Sequence, residues 1–290
     1  MPNGNNITKK QHYIPQTFLR GFSNDREMIC CYDLIKKTER IVPIRSILYS
    51  EYLYEIRNQE GEICFPNQIE NYLAQIEKQF PHYRSRLETS VRYEQNYHSN
   101  CFLNRSEKEF WIFFIYLQMI RHEQSINLVA TDFYNNMGFP NQTSAKNAAL
   151  LSIFSLFQNP SMLNHPIHPL YSTLKNTAFI VWYDKTGSLF TNEKAGCFIS
   201  TDKIYKGLKQ WKFVIFPISR YICIQMYNME VSENQQLLKG KRNVLHRLDK
   251  KNLQFIKQSI ANYAKKMILS SAPLSQNDKI MLAEMQKNKQ

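Results

Sequence analysis

Five residues spread along the chain carry side chains suited to acid–base chemistry or to binding an anion: His12, Gln16, Arg20, Arg121 and Asp202. An imidazole exchanges a proton near neutral pH, and an aspartate can orient or deprotonate a neighbouring group. A guanidinium makes paired hydrogen bonds to phosphate or carboxylate, and an amide offers both a donor and an acceptor. If folding brings His12, Arg121 and Asp202 into one pocket, that pocket would suit cleavage of a phosphodiester bond.

A structural role for the same residues is the alternative. His12 and Gln16 could belong to a polar cluster that ties the N-terminal segment to a sheet, with the amide satisfying buried backbone groups. Arg121 lies in an otherwise apolar stretch, and a buried guanidinium needs either an acidic partner or a bound anion. The internal candidates for a salt bridge are Glu70, Glu77 and Asp202.

The net charge of +13 is concentrated near the C-terminus, where residues 203–290 hold 17 Lys or Arg against 5 Asp or Glu. A positive surface of that kind attracts nucleic acid, phosphorylated ligands or acidic proteins. A solvated lysine-rich surface that only keeps the protein in solution is the alternative. Aromatic and basic residues that together could stack on bases are Tyr205, Lys206, Lys209 and Trp211.

Several functional classes find no support in the sequence. It has no uninterrupted apolar stretch of 18 residues and no apolar signal segment near its start, so we expect a cytoplasmic protein without a membrane partner. The six cysteines lack metal-type spacing, and His165 and His168 have no cysteine nearby to complete a zinc site. No glycine-rich phosphate loop occurs either. We therefore expect no metal and no other cofactor.

The pattern of apolar residues predicts an α+β fold, with long central helices packed on a mainly antiparallel sheet. Short runs rich in β-branched and aromatic residues predict strands, and apolar residues at steps of three and four predict helices. In the first half of the chain the predicted strands are residues 28–34, 39–44 and 52–56. The predicted helices there are one from residue 66 that is kinked or ended at Pro81, a long one over 106–136 with a capping box at Ser106 and Glu109, and one over 144–157.

In the second half, four strands are expected to share one antiparallel sheet, with a hairpin turn at residues 184–187. These strands are residues 177–183, 196–201, 212–217 and 221–227, and helices should follow over 250–269 and 275–287. Two prolines in the loop 159–168, with a third directly after it at Pro169, exclude regular structure there. The whole chain is expected to be a single compact domain, with its core over about residues 10–271 and a helical tail over 272–290.

A run near the N-terminus carries a resemblance to a known family. Residues 11–16 read QHYIPQ, and Phe18-Leu19-Arg20 follows. This run resembles the signature of a widespread microbial family, domain of unknown function 4238. Gln118 and Arg121 are similar to its Gln-x-x-Arg step, and residues 198–202 (FISTD) and 216–219 (FPIS) are similar to its later Phe-Ile-Thr-Ser-Asp and Phe-Pro-Leu-Ser runs.

The resemblance covers about residues 10–271 and implies candidate positions rather than a reaction. The family follows its aspartate with Asn-Pro, whereas Lys203 and Ile204 follow Asp202 here, which implies an altered loop. Candidate catalytic residues are His12, Arg121 and Asp202, and candidate binding residues are Gln16, Arg20, Gln118 and Ser200.

Three functions are compatible with these residues. The leading hypothesis is a metal-independent, nuclease-like enzyme that acts on nucleic acid, assigned to a microbial defence system by analogy alone. The alternative is a non-catalytic binding module whose basic C-terminal surface contacts nucleic acid or an acidic protein. The third is an enzyme that binds a small anionic metabolite through Arg20 and Arg121.

Overall fold

The structure is a computed structural model that describes residues 7–93, 102–158, 176–200, 211–239 and 241–287. In the first half the elements are β1 (Lys10–His12), α1 (Gln16–Leu19), β2 (Met28–Asp33), β3 (Thr38–Pro43), β4 (Tyr49–Glu51), α2 (Gln68–Glu77), α3 (Phe80–Tyr93), α4 (Arg105–Ile120), α5 (Glu123–Asn136) and α6 (Gln142–Gln158). In the second half they are β5 (Thr177–Tyr183), β6 (Thr191–Asn192), β7 (Cys197–Ser200), β8 (Trp211–Pro217), β9 (Ile222–Asn228), α7 (Ser232–Leu238), β10 (Asn243–Arg247), α8 (Lys250–Tyr263), β11 (Met267–Ser270) and α9 (Gln276–Lys287). The predicted α+β fold class is confirmed. The predicted proline loop at 159–168, with His165 and His168, lies outside the described residues.

The larger sheet has the strand order β10-β5-β9-β8-β7. Its strands pair antiparallel, except that β10 runs parallel to β5. Every residue of β9 is buried, as expected for the middle strand of a sheet that is covered on both faces. The prediction that β5, β7, β8 and β9 share one antiparallel sheet is confirmed. The sequence did not predict β10.

The predicted hairpin at residues 184–187 is wrong. β5 pairs with β9 and β10, so the strand that follows the turn in the chain is not its partner. A tight turn is nevertheless present, because the Asp184 carboxylate accepts backbone N–H groups from Thr186 (2.9 Å) and Ser188 (2.7 Å). These bonds hold the pKa of Asp184 below its usual value, although burial acts in the opposite direction.

A smaller sheet contains four strands in the order β3-β2-β11-β6, and β1 and β4 form a separate two-stranded ribbon. Two predictions fail here. Residues 267–269, predicted as the end of a helix, form β11, because Met267–Ser270 pair with Cys30–Asp33 along the whole length of the segment. Residues 52–56, predicted as a strand, instead form a turn at 52–54 after β4, followed by two residues without regular structure. In both places tertiary contacts outweigh the local pattern.

The single helix predicted over residues 106–136 is instead two helices, α4 and α5, which meet at Arg121 and His122. The capping box that begins α4 is formed by Asn104 and Glu107, two residues earlier than predicted. α5 begins where the His122 ring accepts the backbone N–H of Gln124 at 3.1 Å. Burial, with a smaller contribution from the charge of nearby Lys194, lowers the pKa of His122 to about 4, so the ring is neutral at neutral pH and can accept this bond.

The larger sheet separates two apolar regions. On its inner face, residues such as Val181 and Leu245 pack with α4 and the N-terminal segment. On its outer face, α8 covers one part of the sheet through Ile256 and Ile260. α7 covers another part through Leu238. None of the described helices has the length and apolar character needed to cross a membrane.

Candidate functional site

The N-terminal run, residues 11–16, is fixed in place by pairing of β1 with β4 and by a side-chain contact with the start of α1. β1 pairs with β4, and the backbone N–H of Tyr13 donates to the Leu48 carbonyl at 3.1 Å. His12 Nε2 lies 3.0 Å from Gln16 Nε2, so the amide donates to the neutral ring. The two side chains therefore contact each other within the N-terminal segment.

The His12 imidazole is poorly suited to accept a proton. Burial lowers the pKa of His12 to about 4, and the positive charges of Arg121 and Lys10 act in the same direction, while the carbonyl of Ile47 partly offsets them. The ring is therefore neutral at neutral pH. Its Nδ1 atom is buried, and no atom of the described residues meets hydrogen-bond geometry with it; the Ile47 carbonyl influences the ring from outside that geometry.

Arg121 is the centre of a buried polar cluster. Its side chain is 1% exposed, and each of its three nitrogens donates to an acceptor within the protein. The distances are 2.7 Å to Glu77 Oε1, 2.6 Å to the His12 carbonyl and 3.2 Å to the Tyr54 hydroxyl. Burial lowers the pKa of Arg121, but Tyr54 and Glu77 more than offset it, so the guanidinium is permanently charged. Of the two predicted acidic partners that lie within the described residues, Glu70 and Glu77, it is Glu77 that forms the salt bridge.

Gln11 and Glu55 extend this cluster, and sequence reasoning missed both. Gln11 is 0% exposed; its amide nitrogen donates to Glu55 Oε1 at 2.5 Å, and its amide oxygen accepts the backbone N–H of Tyr54 at 2.7 Å. The backbone N–H of Asn67 also donates to Glu55 at 3.2 Å. The burial of Gln11 could have been predicted from the alternation of side chains along β1, which directs Gln11 to the face opposite His12.

Glu70 is an acidic group of this cluster with a pKa close to neutrality. Burial raises the pKa of Glu70 to about 7; Arg121 opposes this, and the carboxylates of Glu77 and Glu55 add to it. Its Oε2 atom is buried and makes no hydrogen bond to the described protein. The same holds for both amide atoms of Gln118, which is 3% exposed. These atoms retain hydrogen-bonding capacity that the surrounding protein does not use.

The remaining predicted site residues lie either away from this cluster or outside the described part of the structure. Arg20 lies on the surface, where its Nε donates to Glu27 at 2.6 Å. Ser200 is the last residue of β7, and its side chain lies outside the described part of the structure. Asp202 lies outside the described residues, as do Tyr205, Lys206 and Lys209. Trp211, predicted as a stacking residue, is 3% exposed in the core. The structure thus brings together His12, Gln16 and Arg121.

An apolar cavity lies between α4 and the larger sheet, and it is separate from the polar cluster. Its lining contains no acid, base or amide, which does not suit cleavage of a phosphodiester. The residues that line it are Ile112, Tyr116, Met119, Phe198, Trp211, Val214 and Met226.

Six exposed basic residues surround β10, which has no strand partner on its outer side within the described residues. We call this surface the β10 edge; its basic residues are Lys239, Lys241, Arg242, Arg247, Lys250 and Lys251. Within residues 239–251 the only acidic residue is Asp249. The sequence predicted a basic C-terminal surface but could not place it on one strand, because β10 itself was not predicted.

The buried contacts of Arg121 give a test of its role. We expect Arg121→Met to lower the free energy of unfolding by about 3–5 kcal/mol, because the Glu77 carboxylate loses its partner inside the protein. Arg105→Met is the matched control, since Arg105 forms an exposed ion pair with Glu109 and its loss should have little effect. Urea unfolding measures both variants. A cost for Arg121→Met as small as that of the control would show that Arg121 does not stabilise the fold.

The raised pKa of Glu70 predicts a pH-dependent stability. Folding raises this pKa from 4.5 to about 7 and so favours the protonated carboxyl; the contribution is complete below pH 4.5 and is lost as the pH rises through 7. Glu70→Gln, which resembles the protonated form, should therefore be more stable than the wild type by about 1–3 kcal/mol at pH 8 and equal to it at pH 4. Urea unfolding across this range, with exposed Glu60→Gln as control, checks the difference. A constant difference at all pH values would contradict the assignment.

Comparison with known proteins places the chain in a family. The sequence profile of a family described as "Protein of unknown function (DUF4238)" matches residues 10–273. Neither a curated protein nor a solved structure is detectably similar to it. The matched region contains β1 and α1 at its start and ends just after β11, so it includes the polar cluster and the β10 edge. Because the match covers most of the chain, the protein belongs to the DUF4238 family.

Proposed function

We propose that the protein binds nucleic acid through the β10 edge, as a binding module that needs no catalytic step. The observation that carries this proposal is the set of six exposed basic residues around one edge strand of the larger sheet, with one acidic residue among them. Released counterions favour binding of a polyanion to such a surface. The contacts of Arg121 support a scaffold role for the polar cluster in this proposal, since its donors are used internally.

The spacing of the basic residues at the β10 edge favours binding of a long anion over binding of a small one. Lys241 and Arg242 precede β10, and Arg247, Lys250 and Lys251 lie at or beyond its other end. The five residues of the strand separate these groups by about 17 Å, at roughly 3.3 Å per residue. A small metabolite does not span that distance, whereas a nucleic acid backbone does. This argument disfavours the small anionic metabolite.

The position of Lys250 and Lys251 supports an anionic partner. Both lie in the first turn of α8, at the positive end of the helix dipole, where a cation typically costs about 0.3–1 kcal/mol. Asp249, the N-terminal cap of α8, offsets part of this repulsion through its bond to the backbone N–H of Asn252 at 2.7 Å. A bound phosphate would be stabilised by both lysines and by the helix terminus.

Salt-dependent binding tests the proposal. Lys250→Ala/Lys251→Ala should weaken binding of a fluorescein-labelled oligonucleotide about tenfold at low salt and reduce the slope of log affinity against log salt by roughly 2, because two phosphate contacts are lost. Lys36→Ala/Lys78→Ala removes the same charge from exposed positions elsewhere and should leave the slope unchanged. Fluorescence anisotropy measures both. Absence of salt-dependent binding to single-stranded and duplex RNA and DNA would refute the proposal.

A second candidate is a nuclease-like hydrolase, and the titration of Glu70 favours it. A carboxyl group with a pKa near 7 exchanges a proton efficiently at neutral pH, which a general acid or base requires. His12, with a pKa of about 4, is less suited to that task. In this candidate Glu70 transfers the proton, the neutral His12 and Gln16 position the reacting group, and Asp202 remains the second predicted catalytic residue.

Cleavage assays test the second candidate. Purified protein incubated with tRNA, messenger RNA or single-stranded DNA in EDTA should release shorter products, at a rate that changes with an apparent pKa near 7. Glu70→Gln should abolish cleavage and Glu60→Gln should not, since Glu60 is exposed and is not a member of the cluster. His12→Ala should lower the rate as well. A wild-type protein that cleaves none of these substrates, or a fully active Glu70→Gln, would exclude this mechanism.

A further inference from the structure

We propose that the outer face of the larger sheet, next to the β10 edge, stacks on unpaired bases, so that the nucleic acid bound by this protein is single-stranded. This inference rests on the proposed binding function and adds the class of nucleic acid. It depends on four aromatic residues, which we call the aromatic gap: Trp182, Phe213, His246 and Phe255.

Two of these rings form a stacked pair across neighbouring strands. Trp182 of β5 and His246 of β10 are direct neighbours in the parallel register, and their ring centroids lie 5.2 Å apart at an interplanar angle of 30°. Both side chains are partly exposed. Trp182 Nε1 donates to Gln225 Oε1 at 2.9 Å, which fixes the orientation of the indole. A flat ring held in a fixed position loses little conformational freedom when a base stacks on it.

The gap lies where the two outer helices leave the sheet incompletely covered. Trp182 and Phe213 each pack at the margin of both the apolar cluster under α8 and the cluster under α7. Phe255, on α8, is 42% exposed, and its ring centroid lies 6.2 Å from that of Phe213. The rings therefore lie between the two helices, and two of them are on adjacent strands.

The aromatic gap and the β10 edge are joined along the chain. Arg247 directly follows His246, and Lys251 lies four residues before Phe255, on the same side of α8. A single strand can place its phosphates on the lysines and arginines of the β10 edge while its nucleobases stack on the aromatic rings. A duplex cannot, because its bases already stack within the helix. An acidic protein would form ion pairs with the positive charges, but it has no nucleobases to stack on the exposed rings.

Trp182 is a natural reporter for this contact. The other two tryptophans are buried, Trp111 at 0% and Trp211 at 3% exposure, so quenching of intrinsic fluorescence by an oligonucleotide reports mainly on Trp182. We expect a single-stranded 12-nucleotide RNA or DNA to quench this emission, and we expect the quenching to disappear in Trp182→Phe. The duplex of the same sequence should quench it much less.

Variants of the rings separate stacking from charge. Phe255→Leu and Trp182→Leu should each weaken binding of the single strand by about 5- to 100-fold, because each ring stacks on one base. Duplex affinity and the salt slope should stay unchanged, since no phosphate contact is removed. Phe65→Leu, which replaces a ring that is 59% exposed elsewhere, is the matched control. Because Phe255 is exposed, its variant keeps the test valid even if Trp182→Leu fails to fold.

The outcomes distinguish the two proposals. Loss of single-strand affinity in the ring variants, with unchanged salt slope, supports stacking. Equal binding of single strand and duplex, insensitive to both ring variants but sensitive to Lys250→Ala/Lys251→Ala, overturns the inference and leaves the proposed function intact. Binding of polyglutamate as tight as that of the oligonucleotide also overturns it. Absence of all polyanion binding removes the proposed function and this inference together.

Discussion

The enclosed guanidinium of Arg121 is the constraint on which the first half of the fold depends. Its three nitrogens connect the end of α4 to β1, to α2 and to the turn that contains Tyr54. A charge at this depth is tolerated only if its donors are satisfied, so these segments must meet in one arrangement. The requirement also explains why α4 ends here: the chain changes direction at His122, where α5 begins with its own cap.

The carboxylates around Arg121 and the exposed basic side chains of the β10 edge belong to different elements of the molecule. Glu55, Glu70 and Glu77 lie in or beside the cluster around Arg121, where burial and, to a smaller extent, the carboxylates of Glu77 and Glu55 raise the pKa of Glu70. The exposed bases instead line β10. A polyanion is repelled by a group of carboxylates and attracted by the edge, so the two regions suit different chemistry. This separation is the reason for proposing that nucleic acid binds at the edge rather than at the cluster.

The sequence predicted those features that depend on local pattern. The strands β5, β8 and β9 and the helices α2, α6 and α9 were found because their apolar residues repeat with the period of the element. Residues 267–269 were misassigned because only pairing with β2 makes them a strand. A shared pocket for His12 and Arg121 was a hypothesis from residue chemistry, but the bond between them uses the His12 backbone carbonyl, which the side-chain types do not predict. The bond between Gln11 and Glu55 spans 44 positions and leaves no local trace. β10 is short and pairs with β5 in parallel, so no hairpin turn next to it in the sequence indicates a strand.

The cap of α5 makes one pair of helices sensitive to acid. His122 holds the first turn of α5 by accepting a backbone N–H at Nδ1, and that nitrogen is also a site of protonation. Below about pH 4 the ring takes up a proton, the acceptor is lost, and a positive charge appears at the positive end of the helix dipole. α5 packs chiefly against α6, and within the helix only Ile126 is buried. In acid, therefore, this helical arm would loosen before the sheets do, and the molecule would unfold in parts rather than as one body.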